Sequence, residues 1–300
     1  MSESFFAQLE KKIDTRTKCR VSIPLANDEA CAYAVCRGIN SGILKATLIG
    51  NPEKIRLMYG EISDSPDVSI IDIRDEKSAC AKAVEEVKEG RSNILMKGLV
   101  STSTILKAVL NSQTGIKKNP LLSHLCFFEL PDKPGVKILT DAAMCISPDA
   151  ETLLMEIENA REAFCAFEKR SPNVALLSAN EKISEKIPST KLAEAVLSMV
   201  STRKDMVVEG PMSFDLALNE ESVRIKKYKG KIQGNADIFV VPRIDTGNAL
   251  YKSLQYYVKA SMGGMLYGAR CPVVLTSRAD SNDTKYNSLL LGISVWQDTR

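Results

Sequence analysis

The chain is poor in the residues that metal centres and histidine triads use. It has one histidine, His124, and none of its eight cysteines stands in a Cys-x-x-Cys pair. Zinc sites need several such ligands at close spacing, and the common nucleophilic triads need a histidine. His124 lies in an apolar, strand-like run, which favours a buried, hydrogen-bonded ring. We therefore expect no metal ion, and we expect acid–base chemistry from other side chains.

Long apolar runs and strong net charge are also missing. The sequence has no run of about 18 apolar residues, so no membrane span is predicted. The net charge is +3, with no basic run and a single tryptophan, which argues against nucleic acid as a partner. The N-terminal residues lack a basic region followed by an apolar stretch, so no secretory signal is predicted. These absences and the cysteine spacing predict a reduced, cytoplasmic protein.

What the sequence does contain is an alternation of strand and helix patterns over 300 residues, enough for one large or two medium domains. Residues 19–23, 29–39 and 45–49 predict a strand, a helix and a strand, which is a βαβ unit with parallel strands. The alternation continues through predicted strands at 69–73, 93–97, 174–178, 237–241 and 273–275 and predicted helices at 76–89, 150–167 and 190–200. We therefore predict an α/β fold with parallel or mixed sheets covered by helices.

Two local predictions concern the second half of the chain. Gly210 and Pro211 follow the apolar residues 206–209 and predict a break in regular structure there. Further on, the pattern predicts a helix that carries Leu250, Leu254, Tyr257 and Val258.

Polar residues recur where a predicted strand meets the next helix. The segments are 98–103, 140–149, 178–182, 245–248 and 277–283. In open α/β sheets, ligands bind outside the carboxyl ends of the strands. Two such sheets facing each other would form a cleft, which is a common place for a small-molecule site.

The last of these segments is the most informative. An apolar strand ends in Thr276, Ser277 and Arg278. Two carboxylates, Asp280 and Asp283, follow just before the next helix. A helix start beside a guanidinium favours phosphate, and a neighbouring carboxylate could remove a proton. The alternative is that Arg278 forms a structural ion pair and that one of the two aspartates caps the helix.

The segment after Lys97 has the same form. Gly98 opens a hydroxyl-rich turn that contains Ser101 and Thr102 and leads into an amphipathic helix. The turn is either a second anion-binding turn, with Lys97 as added charge, or ordinary helix capping by Ser101 or Thr102.

Eight short motifs then occur in order along nearly the whole chain. They are Leu-Met-Lys-Gly-Leu-Val-Ser-Thr (95–102), Leu-Leu-Ser-His (121–124), Thr-Asp-Ala-Ala-Met (140–144) with Pro148-Asp149, Val-Ala-Leu-Leu-Ser-Ala (174–179), Glu-Gly-Pro (209–211) with Asp215, Gly-Asn-Ala-Asp-Ile (234–238), Gly-Asn-Ala-Leu-Tyr-Lys (247–252) and Leu-Thr-Ser-Arg-Ala-Asp-Ser (275–281). With these motifs the chain resembles the phosphate acetyltransferase/butyryltransferase family, and most closely its butyryltransferase branch.

The resemblance implies a two-domain α/β fold related to the isocitrate and isopropylmalate dehydrogenases, with the active site in the interdomain cleft. We place the first domain at residues 1–139 plus 272–300 and the second at 140–271. The implied reaction moves a butyryl or branched-chain acyl group reversibly between coenzyme A (CoA) and inorganic phosphate. The reaction needs no metal or redox cofactor, and CoA takes part in it as a substrate. A homo-oligomer without nucleic-acid or membrane partners is also implied.

The resemblance also assigns site residues. Ser277 and Arg278 match the pair that binds the phosphoryl end, and an aspartate shortly afterwards acts as base on the CoA thiol. A gapless alignment places Thr284 at that position; Asp283 is one residue short and is our first choice, and Asp280 is its rival. Substrate-binding roles fall on Lys97, Gly98, Ser101, Thr102, Asp141, Asn248, Lys252 and Thr276. Where the acetyl branch has an arginine after the residue matching Gln255, this chain has Tyr256.

Three other functions stay open. The first is phosphate acetyltransferase activity with acetyl-CoA, since acyl length depends on apolar contacts that no motif reports. The second is a non-catalytic relative that binds CoA or acyl phosphate. The third is a decarboxylating dehydrogenase of the same fold, against which the missing arginine and aspartate clusters argue.

Overall fold

The computed structural model describes residues 3–277 and 279–299. They form two compact units: unit 1 contains the chain up to Pro120 and from Met262 onward, and unit 2 contains Leu121–Ser261. The predicted domains, 1–139 plus 272–300 and 140–271, have their boundaries further along the chain. That division stays a prediction.

Helices and strands alternate along most of the described chain. The helices are α1 Phe5–Lys12, α2 Glu29–Asn40, α3 Pro52–Tyr59, α4 Glu76–Lys88, α5 Thr102–Val109, α6 Ala150–Glu168, α7 Pro188–Val200, α8 Phe214–Leu218, α9 Glu220–Lys226, α10 Ile244–Ser253 and α11 Asn282–Asp298. The strands are β1 Cys19–Pro24, β2 Leu44–Gly50, β3 Val68–Asp72, β4 Ile94–Met96, β5 Ser123–Leu130, β6 Lys133–Thr140, β7 Asn173–Leu177, β8 Val207–Met212, β9 Ile238–Val240, β10 Ser261–Tyr267 and β11 Val273–Val274. A 3₁₀ turn spans Gly60–Asp64, and a π-helical turn spans Leu254–Val258.

Unit 1 has a mixed sheet with the strand order β3-β2-β1-β4-β11-β10. Neighbouring strands from β3 to β11 are parallel, and β10 pairs antiparallel with β11. Helix α4 packs against β1, β2 and β4, and α11 packs against β4 and β11. β1 and β2 are buried along nearly their whole length. That burial agrees with the mainly apolar residues of both strands.

Unit 2 has the strand order β5-β6-β9-β7-β8. Strands β5 and β6 form an antiparallel pair, and the neighbours from β6 to β8 are parallel. Helix α6 packs against β5, β6 and β9, and α7 packs against β7 and β8. The prediction of an α/β protein with parallel or mixed sheets covered by helices is confirmed.

The predicted break at Gly210 and Pro211 is wrong, because β8 continues through both residues to Met212. Proline lacks the N–H that a central strand needs, but β8 is the last strand in the order of the unit 2 sheet, where proline is tolerated. The ladder between β7 and β8 shifts register between Ala175 and Leu177, so the strand accommodates the pair with an irregularity.

The predicted helix that carries Leu250, Leu254, Tyr257 and Val258 is present, but it changes form along its length. Regular α10 ends at Ser253, and a π-helical turn over Leu254–Val258 follows directly. A π turn contains more residues than an α turn, so the side chains after Ser253 point in directions that a regular α-helix would not give them. Tyr257, in this turn, is 88% exposed.

Within residues 3–277 and 279–299, no helix combines the length and the apolarity that crossing a bilayer requires.

Candidate active site

The strand order of unit 1 identifies its first candidate site. From β1 the chain adds β2 and β3 on one side, whereas β4 and β11 lie on the other side. In open α/β sheets, ligands bind outside the carboxyl ends of the strands at such a switch point. We call the described residues that follow β1, β4 and β11, together with the first turns of the next helices, the first strand-end site: 25–31, 97–104, 275–277 and 279–285.

Gly98 shows how closely these chain segments approach one another. A Cβ atom at this position would lie 2.3 Å from the Pro24 carbonyl oxygen and 2.7 Å from that of Leu25. The next residue, Leu99, donates its N–H to the Leu25 carbonyl at 2.9 Å. Glycine is therefore required for steric reasons, because only a residue without a side chain lets β4 leave the sheet alongside the end of β1.

Lys97 connects the ends of β4 and β11. Its N–H donates to the Val274 carbonyl at 2.9 Å, and its own carbonyl accepts from the Cys31 thiol at 3.4 Å. The side chain is only 4% exposed, and its Nζ lies 3.4 Å from the Gly98 carbonyl oxygen. A buried ammonium group is thus present at the switch point.

Ser101 caps the helix that follows. Its hydroxyl accepts from the Thr104 N–H at 3.1 Å, and its own N–H donates to the Glu76 carboxylate at 2.6 Å. Thr102 is the first residue of α5 and is exposed. The capping interpretation of this turn is therefore confirmed for Ser101. Anion binding by the same turn stays a prediction.

Ser277 and Asp280 are hydrogen-bonded to each other directly after the buried Thr276. The Asp280 carboxylate accepts from the Ser277 N–H at 2.7 Å, and the Asp280 N–H donates to the Ser277 carbonyl at 3.2 Å. Asp280 is buried, whereas Ser277 is exposed. Arg278, the predicted phosphoryl ligand, lies outside the described residues. One carboxylate oxygen of Asp280 therefore fixes the position of the Ser277 backbone.

The cap of α11 is Ser281, whose hydroxyl accepts from the Thr284 N–H at 3.1 Å. The interpretation in which Asp280 or Asp283 caps this helix is wrong: Asp280 bonds to the Ser277 N–H, and Asp283 already lies in the first helical turn. The Asp283 side chain is 77% exposed, and its Oδ1 is 3.9 Å from Nη1 of Arg37. Its carboxylate is accessible to a ligand from solvent.

A buried ion pair in the same site was missed from the sequence. Lys285 is 3% exposed, and its Nζ lies 2.5 Å from Oδ1 of Asp28. Asp28 also caps α2, because its carboxylate accepts from the Cys31 N–H at 2.8 Å. The one sequence signal was a lysine at the start of an otherwise apolar helical stretch, and such a lysine usually reads as a surface residue.

The second strand-end site lies in unit 2 and comprises residues 140–145, 156 and 247–252. Asp141 directly follows β6 and is buried. Its Oδ2 accepts from the His124 N–H at 2.7 Å, and its Oδ1 accepts from the N–H groups of Ala143 and Met144, both at 2.7 Å. Three backbone donors therefore fix the orientation of this carboxylate. His124 is buried, as the sequence predicts.

The start of α10 packs against the same turn. A Cβ atom on Gly247 would lie 2.3 Å from the Asp141 carbonyl oxygen, and Asn248 Nδ2 is 3.5 Å from that of Ala142. One turn later, the half-buried Lys252 donates to the Gln255 amide oxygen at 3.1 Å. The structure thus brings Asp141 and Asn248 close together, with Lys252 further along the helix.

Sequence reasoning also missed Glu156 and Cys145. Glu156 comes from α6, and its carboxylate lies near both the Cys145 thiol and the Asp141 carboxylate. Burial, and then the negative charge of Asp141, raise the pKa of Glu156 to about 8. Burial and the same carboxylates raise the pKa of the Cys145 thiol. No motif joins these three residues, so only the fold reveals the cluster.

The fold and the two sites define an α/β protein whose charged groups collect at the carboxyl ends of strands. The family model described as phosphate acetyl/butaryl transferase matches residues 74–293, which include the second strand-end site and the segments of the first site that follow β4 and β11. The chain therefore belongs to the phosphate acetyl/butyryl transferase family, and the resemblance that the motifs indicate is confirmed.

Individual relatives agree with this assignment. A phosphate butyryltransferase of Clostridium acetobutylicum is 38% identical over 294 residues, or 97% of each chain. A phosphate acetyltransferase of Rhizobium meliloti is 36% identical over 264 residues, covering 87% of this chain and 84% of the relative. The crystal structure of a branched-chain phosphotransacylase from Enterococcus faecalis matches with a TM-score of 0.83 and 37% identity, over 93% of this chain and 99% of the other.

Proposed function

We propose that the protein transfers a butyryl or branched short-chain acyl group reversibly between CoA and inorganic phosphate. Family membership supports the reaction class. The site assignment depends on one observation: strands β4 and β11 are neighbours and end side by side. At their ends the Lys97 N–H donates to the Val274 carbonyl at 2.9 Å. The reaction exchanges a thioester for an acyl phosphate without a change of oxidation state, so CoA acts as substrate and no redox cofactor takes part.

The first strand-end site suits the phosphate. Ser277 offers an exposed hydroxyl, and the resemblance adds the Arg278 guanidinium, whose planar fork matches phosphate oxygens. Two buried ammonium groups, those of Lys97 and Lys285, lie near the Cys31 thiol. Burial raises the pKa of this thiol, and the positive charges of the two lysines partly oppose that rise. Both lysines therefore act on the same small region, and their charge favours an anion.

Asp283 remains our first choice for the general base, with Asp280 as its rival. A thiol with a pKa near 8.5 is only a few per cent thiolate at neutral pH, so a base would help. The base takes the thiol proton, sulfur bonds to the acyl carbon, and the bond from that carbon to the phosphate oxygen breaks. Exposure of Asp283 supports this role, whereas Asp280 is buried and bonds to the Ser277 N–H.

The remaining assignments concern binding and cellular context. Lys97, Gly98, Ser101, Thr102 and Thr276 contribute to substrate binding from unit 1, and the second strand-end site contributes Asp141, Asn248 and Lys252. Tyr256, beside Lys252, replaces a positively charged contact of the acetyl branch. The free cysteines of the described chain support a reducing compartment, and we place the protein in the cytoplasm as a homo-oligomer.

The experiment follows free CoA thiol released from butyryl-CoA, isobutyryl-CoA and acetyl-CoA, each with and without inorganic phosphate. We expect release only with phosphate, and a higher kcat/KM for the four-carbon substrates. A higher kcat/KM for acetyl-CoA would instead support phosphate acetyltransferase activity. This alternative stays open because one relative that is 36% identical to the chain is a phosphate acetyltransferase. Absence of release from all three would support a non-catalytic binding relative. Release that does not depend on phosphate would contradict acyl transfer to phosphate.

A further inference from the structure

Three acidic side chains meet beside the turn that follows β6. One ligand atom from each of Asp141, Cys145 and Glu156 lies within 4.8 Å of the others. Asp141 and Cys145 come from the turn itself, and Glu156 comes from the second turn of α6. The fold therefore adds a thiol and a second carboxylate to Asp141, in a turn that the sequence had indicated only through Asp141 and its polar neighbours.

Glu156 is the poorly paired member of this cluster. The residue is 0% exposed, and among the described residues neither of its carboxylate oxygens has a hydrogen bond of normal geometry. The neighbouring Cys145 thiol, a weak donor, is the one group that favours its charged form. A buried carboxylate without a compensating partner is costly, and proteins either neutralise it or pair it with a cation. The nearby Asp141 carboxylate adds to this cost. Either a proton or a cation held within the cluster would remove this cost.

Asp141 is well prepared to be a ligand. A carboxylate offers about four acceptor positions, and three are used by backbone N–H groups at 2.7 Å. One position is left. Hydrogen bonds of this kind typically orient the ligands of metal sites from outside.

Cys145 supplies the third ligand and decides the kind of cation. It is only half-buried, so an ion can reach the cluster past it. A thiolate with two carboxylate oxygens suits Zn²⁺ and ions that imitate it, whereas Mg²⁺ and Ca²⁺ prefer oxygen alone. Neighbouring ligands of a tetrahedral zinc ion lie about 3.5 Å apart, so small side-chain rotations would close this cluster around an ion.

We propose that Cys145 Sγ, one oxygen of Asp141 and the Glu156 carboxylate bind one divalent cation of the zinc class, with a fourth position for water or a substrate oxygen. This proposal departs from the expectation that the protein binds no metal. It depends on the cluster alone, so it stands or fails independently of the acyl-transfer reaction.

The test is equilibrium dialysis of the full chain against Zn²⁺, with wild type, Cys145→Ser, Glu156→Gln and the control Cys165→Ser. Cys165 is also free and half-buried, but it lies elsewhere on α6. We expect about one tight equivalent in wild type and the control. Loss of an outer-shell contact typically weakens binding ~10–100-fold, so loss of a direct ligand should weaken it at least as much in the other two variants.

Co²⁺ provides a second readout, because a cobalt–thiolate bond absorbs in the near ultraviolet. The band should appear with wild type and disappear with Cys145→Ser, which also decides the question if Glu156→Gln does not fold. Equal Zn²⁺ binding by all four chains, or none by wild type, would overturn the proposal. In that case a proton, and not a metal, neutralises Glu156.

Discussion

The two strand-end sites treat buried charge in opposite ways. In unit 1, Lys285 is buried against Asp28 with 2.5 Å between Nζ and Oδ1. In unit 2, backbone N–H groups satisfy Asp141, whereas among the described residues the oxygens of Glu156 have no hydrogen bond of normal geometry and only the weak Cys145 thiol beside them. In the first site the charge of Lys285 is therefore already paired with a carboxylate. In the second site the Glu156 carboxyl group has no such partner, and a bound proton or cation has to neutralise it.

This difference separates the two kinds of chemistry that the strand ends support. A site with buried ammonium groups and an exposed hydroxyl suits an anion such as phosphate. A site with buried acids around a thiol suits a cation. Each prediction below tests one side of this contrast.

The largest expected effect is on the chemical step that we assign to the first site. Asp283→Asn should lower kcat about 10²–10⁴-fold, the usual range for loss of a general base, and leave CoA binding nearly unchanged. The loss should shrink at higher pH as free thiolate accumulates. Steady-state kinetics across pH, with the exposed Asp64→Asn as control, measures this.

Asp280→Asn should act mainly through the phosphate KM, because Asp280 fixes the position of the Ser277 backbone. The opposite pattern in the two variants would exchange the roles of the aspartates. If neither change lowers kcat by more than about tenfold, the family mechanism does not apply to this chain.

Breaking the buried pair of the first site should have the next largest effect. Removal of one partner of such a pair typically costs about 3–5 kcal/mol, and replacement of both costs less. Denaturant unfolding should therefore show a larger loss for Lys285→Met than for the double variant Lys285→Met/Asp28→Asn. If the double variant loses as much as both single losses added together, the two side chains are not coupled.

The same pair predicts a pH dependence. Desolvation raises the pKa of Asp28, but hydrogen bonds from Lys285 and the Cys31 N–H outweigh it and leave that pKa below its usual value. A carboxylate with a lowered folded-state pKa stabilises the fold above the unfolded value of about 3.9 and loses that contribution as pH falls through the folded value. The stability gap between wild type and Asp28→Asn should therefore close in acid. A gap that is constant with pH would show that the carboxylate charge contributes nothing.

Arg278→Lys sharpens the assignment of phosphate to unit 1. Lysine keeps the charge but loses the planar fork, and a charge-assisted hydrogen bond is worth about 1.5–3 kcal/mol. The phosphate KM should rise roughly 10–100-fold while the CoA KM stays nearly constant. Lys252→Gln in unit 2 is the matched change and should raise the CoA KM instead. An unchanged phosphate KM in Arg278→Lys would remove this residue from the phosphate site.

Gly98→Ala should destabilise unit 1 by about 1–3 kcal/mol, the typical cost of overpacking. The new Cβ would lie 2.3 Å from the Pro24 carbonyl oxygen, so backbone has to move. Gly292→Ala is a milder control, because its Cβ would meet the end of the Ile94 side chain at 3.2 Å. Thermal unfolding compares the two variants, and equal losses would show that the close approach at Gly98 is unimportant.

The smallest expected effect distinguishes capping from anion binding after β4. Ser101→Ala removes the cap of α5 and should cost about 1 kcal/mol of stability. If the hydroxyl also binds phosphate, the phosphate KM rises as well; if it only caps, KM stays the same. Ser103→Ala, on the exposed side of the same turn, is the control. Loss of neither stability nor phosphate affinity would remove both roles.

Short residue patterns predicted the features that depend on neighbouring residues, such as strands and helix starts. The buried strands β1, β2 and β7 were predicted from their residues at bounds close to those in the structure. The cap of α11 was assigned to an aspartate, although Ser281 performs it, because serine and aspartate are equally good caps and stand close together in this loop. The sequence predicted a helix across Leu254–Val258 but not its π-helical form, because no residue pattern distinguishes a π turn from an α turn.

Contacts between distant residues could not be predicted. Lys285 and Asp28 are separated by 257 positions, and periodicity reports nothing over such a distance. Glu156 lay unnoticed on a predicted helix because its burial depends on how α6 packs against the turn after β6. The predicted residues did gather at strand ends, because parallel strands bring their carboxyl ends to one edge of a sheet.

The central claim is that the acyl group passes from CoA to inorganic phosphate. A ³¹P NMR time course of purified protein with butyryl-CoA and phosphate tests it directly, because acyl phosphate and inorganic phosphate give separate signals. The account predicts one butyryl phosphate formed for each CoA released, and the reverse reaction when CoA is added in excess. Release of CoA with no acyl phosphate signal, or no turnover with any short-chain acyl-CoA, would contradict it.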